Sequence, residues 1–264
     1  MAARAGVEEL LAWYRDAGVD EPLADEPIDR FAASAERAAN RQAEPPKPVP
    51  TVRLAKRPEA APTAAGSKPV ADLVVAATAV CAEAQDLSAL EAAIRAFDPE
   101  PLGANARNVV FAAGEPGAKL LVVSDLPDRD EDAEGTPFAG AAGTMLARML
   151  DAIDTELDAT YRISASPWRM RRAGAAEVRV LAPFVARHIE LATPSFVLTM
   201  GAVAARTALA TDRPLPALRN AWHRIGADGP AVVATFHPNF LMAQPEQKRL
   251  AWADLLRLKE RLYG

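Results

Sequence analysis

LLVVSDLPDRDEDAEGTPFAGAAGTMLARML, residues Leu120 to Leu150, is the stretch around which the rest of the chain is organised. It opens with an unbroken apolar run, Leu120-Leu121-Val122-Val123, β-branched at its end and too short for a helix. Ser124-Asp125-Leu126-Pro127-Asp128 follows at once, and a proline there stops both strand and helix. An acidic run and Gly135-Thr136-Pro137-Phe138-Ala139-Gly140 then lead into a helix with Met145, Leu146, Met149 and Leu150 at its apolar positions. The order is buried strand, long polar loop with one aromatic, helix. Parallel α/β sheets bind ligands outside the carboxyl ends of their strands, so this loop is the first candidate for a site.

Working outward, the same alternation recurs. Upstream, Ala71 to Ala84 and Leu87 to Phe97 read as helices, and Asn108-Val109-Val110-Phe111 reads as a short strand. Downstream, Tyr161 to Ser164, Phe196 to Met200 and Ala231 to Thr235 read as strands. Between them lie helices over Ala175 to Ala192 and Ala202 to Leu209, and a last helix runs from Pro245 to Leu262. Strands alternating with helices predict a parallel sheet with helices on both faces. The expected architecture is a three-layer α/β/α fold around a central, mainly parallel four-stranded sheet. Residues 44–69, EPPKPVPTVRLAKRPEAAPTAAGSKP, are rich in proline and nearly free of large apolar groups, which predicts a flexible linker. It separates a short helical segment, residues 1–43, from the main domain, residues 70–264. The linker's Lys47, Arg53, Lys56 and Arg57 suit either a soluble tether or a basic arm.

The totals exclude several classes. No apolar run reaches the ~20 residues of a membrane span, and the first residues carry acids where a signal peptide needs an apolar segment, so a cytoplasmic protein is expected. Cys81 is the only cysteine, which rules out an internal disulfide and a cysteine-built zinc or iron–sulfur site. A net charge of −5 argues against a nucleic-acid coat but leaves room for a local basic groove.

Three strand ends carry polar residues: Asp125, Ser164 and His237. In a parallel sheet these ends share one edge, so the three side chains are expected to converge with Phe138. Asp125 before Pro127 also suits a plain turn, Ser164 a plain strand-end hydroxyl, and Phe138 a core position. Asp128, Asp130, Glu131, Asp132 and Glu134 read as a solvated acidic loop rather than a metal site. Trp168-Arg169-Met170-Arg171-Arg172, with Arg162 and Arg179, sets five positive charges against Glu177 alone; an aromatic among arginines past a strand end suits phosphate contact as well as a solvated loop.

The motifs resemble those of the uracil-DNA glycosylases, in particular the bacterial family 4 type. Ser124-Asp125-Leu126-Pro127-Asp128 stands at the family's GE[AG]PG, and Gly135 to Gly143 matches its G-x-PF-x-G-x-x-G. Asn108 to Pro116 resembles N-x-VF-x-x-G-x-P, and Pro183-Phe184-Val185 with His188 to Leu191 resembles the PFLxxxIELxxP helix. Phe236 to Leu241 matches [FY]HPxYLL, and Lys248, Arg249, Trp252, Asp254 and Leu255 match the closing helix. The resemblance runs over about residues 85 to 264.

It implies a uracil-DNA glycosylase-like fold, and roles residue by residue. Phe138 would stack on a flipped uracil. His237 would donate to the uracil carbonyl that gains charge as the glycosidic bond breaks. Asp125, one methylene shorter than the family's glutamate, would orient water or steady the cationic sugar, with Glu131 as a second acid. Leu126 would offer its backbone N–H to the base. Ser164 stands where the family reads uracil with an asparagine, and a hydroxyl cannot match both a donor and an acceptor at once. Arg169, Arg171, Arg172 and Asn239 are expected to contact DNA. The four cysteines that hold a [4Fe-4S] cluster in many members correspond to Phe97, Glu100, Trp168 and Leu181, so no cluster and no other cofactor is expected, apolar packing taking its structural role.

The expected function is excision of uracil from DNA by a monomer in base-excision repair. Ser124, Asp125, Asp128 and Ser164 depart from the family pattern, and they equally suit a paralogue that binds DNA or a repair partner without cutting. An enzyme with a different base choice is the third reading.

Overall fold

The structure, a computed structural model, describes residues 69–100 and 102–264. The expected N-terminal helical segment and all of the linker but Pro69 lie outside the described residues.

Each long strand begins from an apolar run that needs both of its faces covered. β1 spans Ala112–Ala113, β2 Leu120–Ser124, β3 Thr160–Ser164, β4 Phe196–Met200, β5 His223–Arg224 and β6 Ala231–Thr235. Helices α1 (Val70–Glu83) and α2 (Leu87–Ala96) precede the sheet; α3 (Arg129–Glu134) and α4 (Gly140–Asp151) join β2 to β3. Then come α5 (Ala175–Ala192), α6 (Ala202–Ala208), α7 (Leu215–Leu218), α8 (Pro238–Ala243) and α9 (Lys248–Tyr263). The strand order is β1-β3-β2-β4-β6-β5. β3, β2, β4 and β6 pair in parallel, while β1 and β5 are two-residue antiparallel strands at the edges. The sheet is therefore mixed and six-stranded, and the four-stranded expectation captured only its parallel centre.

Side chains alternate across β2 and so serve two cores. Leu121 and Val123 pack with Leu73, Leu90, Phe184 and Val203 on one face. Leu120 and Val122 pack with Leu146, Leu150, Leu255 and Leu258 on the other. β2 also sits at the switch point of the sheet, because the chain moves from it to β3 on one side and then crosses to β4 on the other. Loops at the carboxyl end of such a strand open a crevice between them.

Two local expectations fail. Residues 108–111 are not a strand; Val110 N–H donates to the Pro167 carbonyl instead, and pairing with β3 begins only at Ala112. The acidic run is not a solvated loop but the helix α3, with Glu131 and Asp132 buried. Its cause is a capping box: Asp128 Oδ1 accepts from the N–H groups of Asp130 and Glu131, and Glu131 Oε2 accepts from Asp128 N–H at 3.0 Å. Burying a carboxylate is tolerated where backbone donors surround it. No helix among the described residues is long and apolar enough to cross a membrane.

Candidate active site

Ser124 is the last residue of β2 and faces Ser164 in register across the parallel pair with β3. His237 lies two residues beyond Thr235, the last residue of β6. The edge expected from the strand ends thus exists, and it brings Ser124, Phe138 and His237 into one contact group.

Glu131, fully buried, is its anchor. Its carboxylate accepts from Ser124 Oγ at 2.9 Å, from Phe138 N–H at 2.6 Å and from Asp128 N–H. Burial raises its pKa and these donors oppose the shift. Glu131, expected as a second catalytic acid, is thus fully buried and spends these three bonds on organising the loop. Phe138, held by that hydrogen bond, adopts φ 58°, a strained conformation for an aromatic residue. Gly143 permits this, since a Cβ there would collide with the Phe138 carbonyl oxygen. The ring lies nearly parallel to that of His237, at 16° and 5.7 Å between centroids.

His237 is buried, and the Asn239 N–H donates to its Nδ1 at 3.3 Å. Nδ1 is therefore an acceptor, and in the neutral ring the proton sits on Nε2. That Nε2 lies 3.2 Å from Ser124 Oγ. Burial pushes the imidazole pKa down to about 4, against the pull of Asp128, so the ring is neutral at physiological pH.

Asp125 is placed differently from the expectation. Its Oδ1 accepts from the N–H groups of Val203 and Ala204 at 3.0 and 3.3 Å, in the first turn of α6. The neighbouring Leu126 N–H adds a small pull that favours the charged carboxylate. Gly201, at φ 118°, makes room for the group, because a Cβ there would overlap the Asp125 carboxylate. Burial raises the pKa to about 6 while the amides pull it down. Ser164 Oγ donates to the Asp125 carbonyl at 3.1 Å, which ties the two strand-end loops together.

The expected DNA contacts divide. Arg171 and Arg172 are exposed in the loop after β3, and Arg169 stands 4.0 Å from Asp132. Asn239 is not free: its Nδ2 donates to Asp128 Oδ2 at 2.8 Å. Asp128, which looks in sequence like a misplaced acid, thus caps α3 with one oxygen and fixes the His237 turn with the other. Trp168 turns away from its arginines into the core.

Sequence reading missed the support beneath His237. Arg219 pairs with buried Asp254 at 2.7 Å, Thr235 Oγ1 donates to the same Asp254 oxygen at 2.9 Å, and the guanidinium lies 4.2 Å from the Phe236 ring centroid. Nothing local in the sequence marks Arg219; only the D-x-x-E spacing of Asp128 and Glu131 was a legible signal for the first network.

The profile of the uracil-DNA glycosylase superfamily matches residues 111–256, more than half of the chain. The chain belongs to the uracil-DNA glycosylase superfamily. It is similar to the type-4 uracil-DNA glycosylase of Sulfurisphaera tokodaii, 31% identical over 98 residues, 36% of this chain and 44% of that protein. It is likewise similar to the type-4 enzyme of Archaeoglobus fulgidus, 31% over 102 residues, 38% and 51% of the two chains. The type-4 enzyme of Thermotoga maritima matches at 26% over 165 residues, 60% and 85% of the two chains. The chain spans about half the length of the first two relatives.

The positions that resemblance assigns to a [4Fe-4S] cluster do not fit one. Such a cluster needs thiolate ligands, and the chain's single cysteine, Cys81, lies elsewhere in the core. Instead Phe97 stacks on Trp168 at 5.6 Å, both meet Phe184 edge-on, and Leu181 is buried in the same core; Glu100 is exposed. Among the described residues no group of three or more His, Cys, Asp or Glu is arranged to hold a metal ion.

Proposed function

We propose that this member of the superfamily hydrolyses the N-glycosidic bond of a flipped deoxyuridine in DNA, releasing uracil and leaving an abasic site. The observation that carries the reading is the His237–Phe138 pair: an imidazole whose Nδ1 accepts a backbone N–H, leaving the proton on Nε2, stacked nearly parallel to an aromatic ring at the switch-point edge. Phe138 offers a face on which a base can stack. His237 donates its Nε2–H to the carbonyl oxygen that becomes anionic as the bond to C1′ breaks, and a preformed donor in a buried site stabilises developing charge without reorganising. Asp125, ionised above about pH 6, follows β2 at the same sheet edge and, held by the α6 amides, acts on the cationic sugar through its field and not by contact. Arg171 and Arg172 are exposed where they can meet phosphates, supplying affinity rather than sequence reading. Residues 70–264 form the glycosylase domain, acting as a monomer in the cytoplasm.

A labelled oligonucleotide with one uracil, opposite guanine or single-stranded, tests this. Alkali cleavage is expected with the native protein, and His237→Ala should lower turnover by about 100-fold or more, the scale for losing one charge-stabilising donor. Wild-type-like turnover in that variant would remove His237 from the chemistry.

The second reading, a paralogue that binds DNA without cutting, is favoured by the way Ser124, Ser164 and Asp125 spend their hydrogen bonds on the protein itself. DNA binding without abasic-site formation on any uracil substrate would establish it in place of the first.

A further inference from the structure

His237 has one N–H to give. With Nδ1 taken by the Asn239 amide, that proton is on Nε2, and Ser124 Oγ stands 3.2 Å from it. Ser124 has no exposed surface, and its own O–H goes to Glu131 Oε1. Glu131 is in turn fixed by the amides of Asp128 and Phe138, so the serine oxygen presents a settled lone pair to the imidazole. The chain Nε2–H to Ser124 Oγ–H to Glu131 is complete without any ligand.

A base carbonyl that needs the Nε2–H has to take it from Ser124. A hydrogen bond made in the free protein and lost in the complex is subtracted from binding, since only the difference between the two states counts. We infer that Ser124 is an intramolecular competitor of the substrate carbonyl for the His237 donor, and so a residue that sets how strong an acceptor a base must present. This rests on the reading that His237 donates to uracil. A neutral carbonyl displaces the hydroxyl at nearly even exchange, whereas the anionic oxygen of the departing base is a far stronger acceptor. The competition therefore weakens ground-state binding more than it slows the chemical step, and bases with a poor acceptor at that position are turned away.

The test uses free uracil as ligand, followed on the ¹⁵N resonances of the His237 ring, with excision kinetics measured in parallel. Ser124→Ala and Ser124→Gly should each bind uracil about two- to tenfold more tightly than the native protein, the worth of one neutral hydrogen bond. KM should fall by a similar factor with kcat changed less than about twofold. The native ring should show an Nε2–H that exchanges slowly with water, and this protection should be lost in both variants. Unchanged or weaker uracil binding in two folded variants overturns the inference, as does a native ring protonated on Nδ1, a measurement that needs no variant. Native excision without a gain in the variants sinks the inference alone. Absence of uracil binding and excision in native protein and variants alike sinks the functional reading and the inference with it. Binding that appears only in the variants supports a donor fully masked by Ser124.

Discussion

The aromatic cluster around Phe97 and Trp168 and the strand-end site around Ser124 both hold residues that differ from the motifs the resemblance implies, and they absorb the difference in opposite ways. In the cluster, large rings fill space with offset and edge-on contacts that need no directed hydrogen bond. At the strand end, a side chain added at Ser124 enters a site whose other groups already have directed hydrogen-bonding capacity, and it uses part of it. Packing is permissive of such replacements as long as volume is conserved. Directed donors are not, because each proton has one best acceptor at a time. A core can diverge while keeping its task; a site that diverges changes what it offers a ligand.

Truncation separates the two regions. Phe184→Ala removes a ring at the centre of the cluster and should lower unfolding stability by about 3–5 kcal/mol, measured by denaturant titration. The His237 ring resonances should stay where they are. A loss below ~1 kcal/mol would mean that the cluster is not packed as a core, and the contrast would collapse. Glu131→Ala strands three donors, Ser124 Oγ and the amides of Asp128 and Phe138. Water entering the gap restores part of their bonding, so the expected loss is smaller, about 2–4 kcal/mol. Its signature lies in the site: Phe138 should leave its positive-φ conformation and the His237 ring signals should shift. An unperturbed His237 spectrum in that variant would show that Glu131 does not hold the site together.

The fold was legible where burial alone decides structure. β4 and β6 coincide with the runs read for them, and β2 and β3 differ by one residue, because a strand buried on both faces reads as a near-continuous apolar run; β3, with buried Arg162 at its centre, is the exception. Short elements were not legible. α3, α8 and the edge strands β1 and β5 are set by caps and neighbours rather than by periodicity; α8, for instance, starts at Pro238 with the His237 ring accepting at its N-terminus. That Asp125, Ser164 and His237 stand at strand ends on one edge of the sheet could be read from the sequence; that the Asp125 carboxylate turns to α6 while Ser124 joins Phe138 and His237 could not. The partners are remote in sequence: Ser124 meets His237 across 113 residues and Asn239 meets Asp128 across 111. Those contacts exist only after β2 and β6 are brought into one sheet.

Acid titration sharpens the contrast through the slope of stability with pH, about 1.4 kcal/mol per pH unit for each proton. His188, buried against Tyr161 and Phe111 beside the first core, has its pKa lowered to about 3, and His237 in the site to about 4, both by burial. For each, the unfolded chain takes up a proton near pH 6.5 while the native state does not, so stability present above pH 6.5 is lost as pH falls toward 4. Asp125 works in the other direction. Its native pKa, raised to about 6, lies above the unfolded value of 3.8, so the native state binds a proton first and gains relative stability as pH falls through 6. Glu131, raised by burial as well, acts in the same sense as Asp125. His188→Phe should therefore flatten the loss of melting temperature between pH 6.5 and 4 by the equivalent of about one proton, and Asp125→Asn should steepen it by about one between pH 6 and 4. Equal slopes in the native protein and Asp125→Asn would mean that the amides of α6 offset the burial of the Asp125 carboxylate in full, leaving it as well stabilised in the fold as in the open chain.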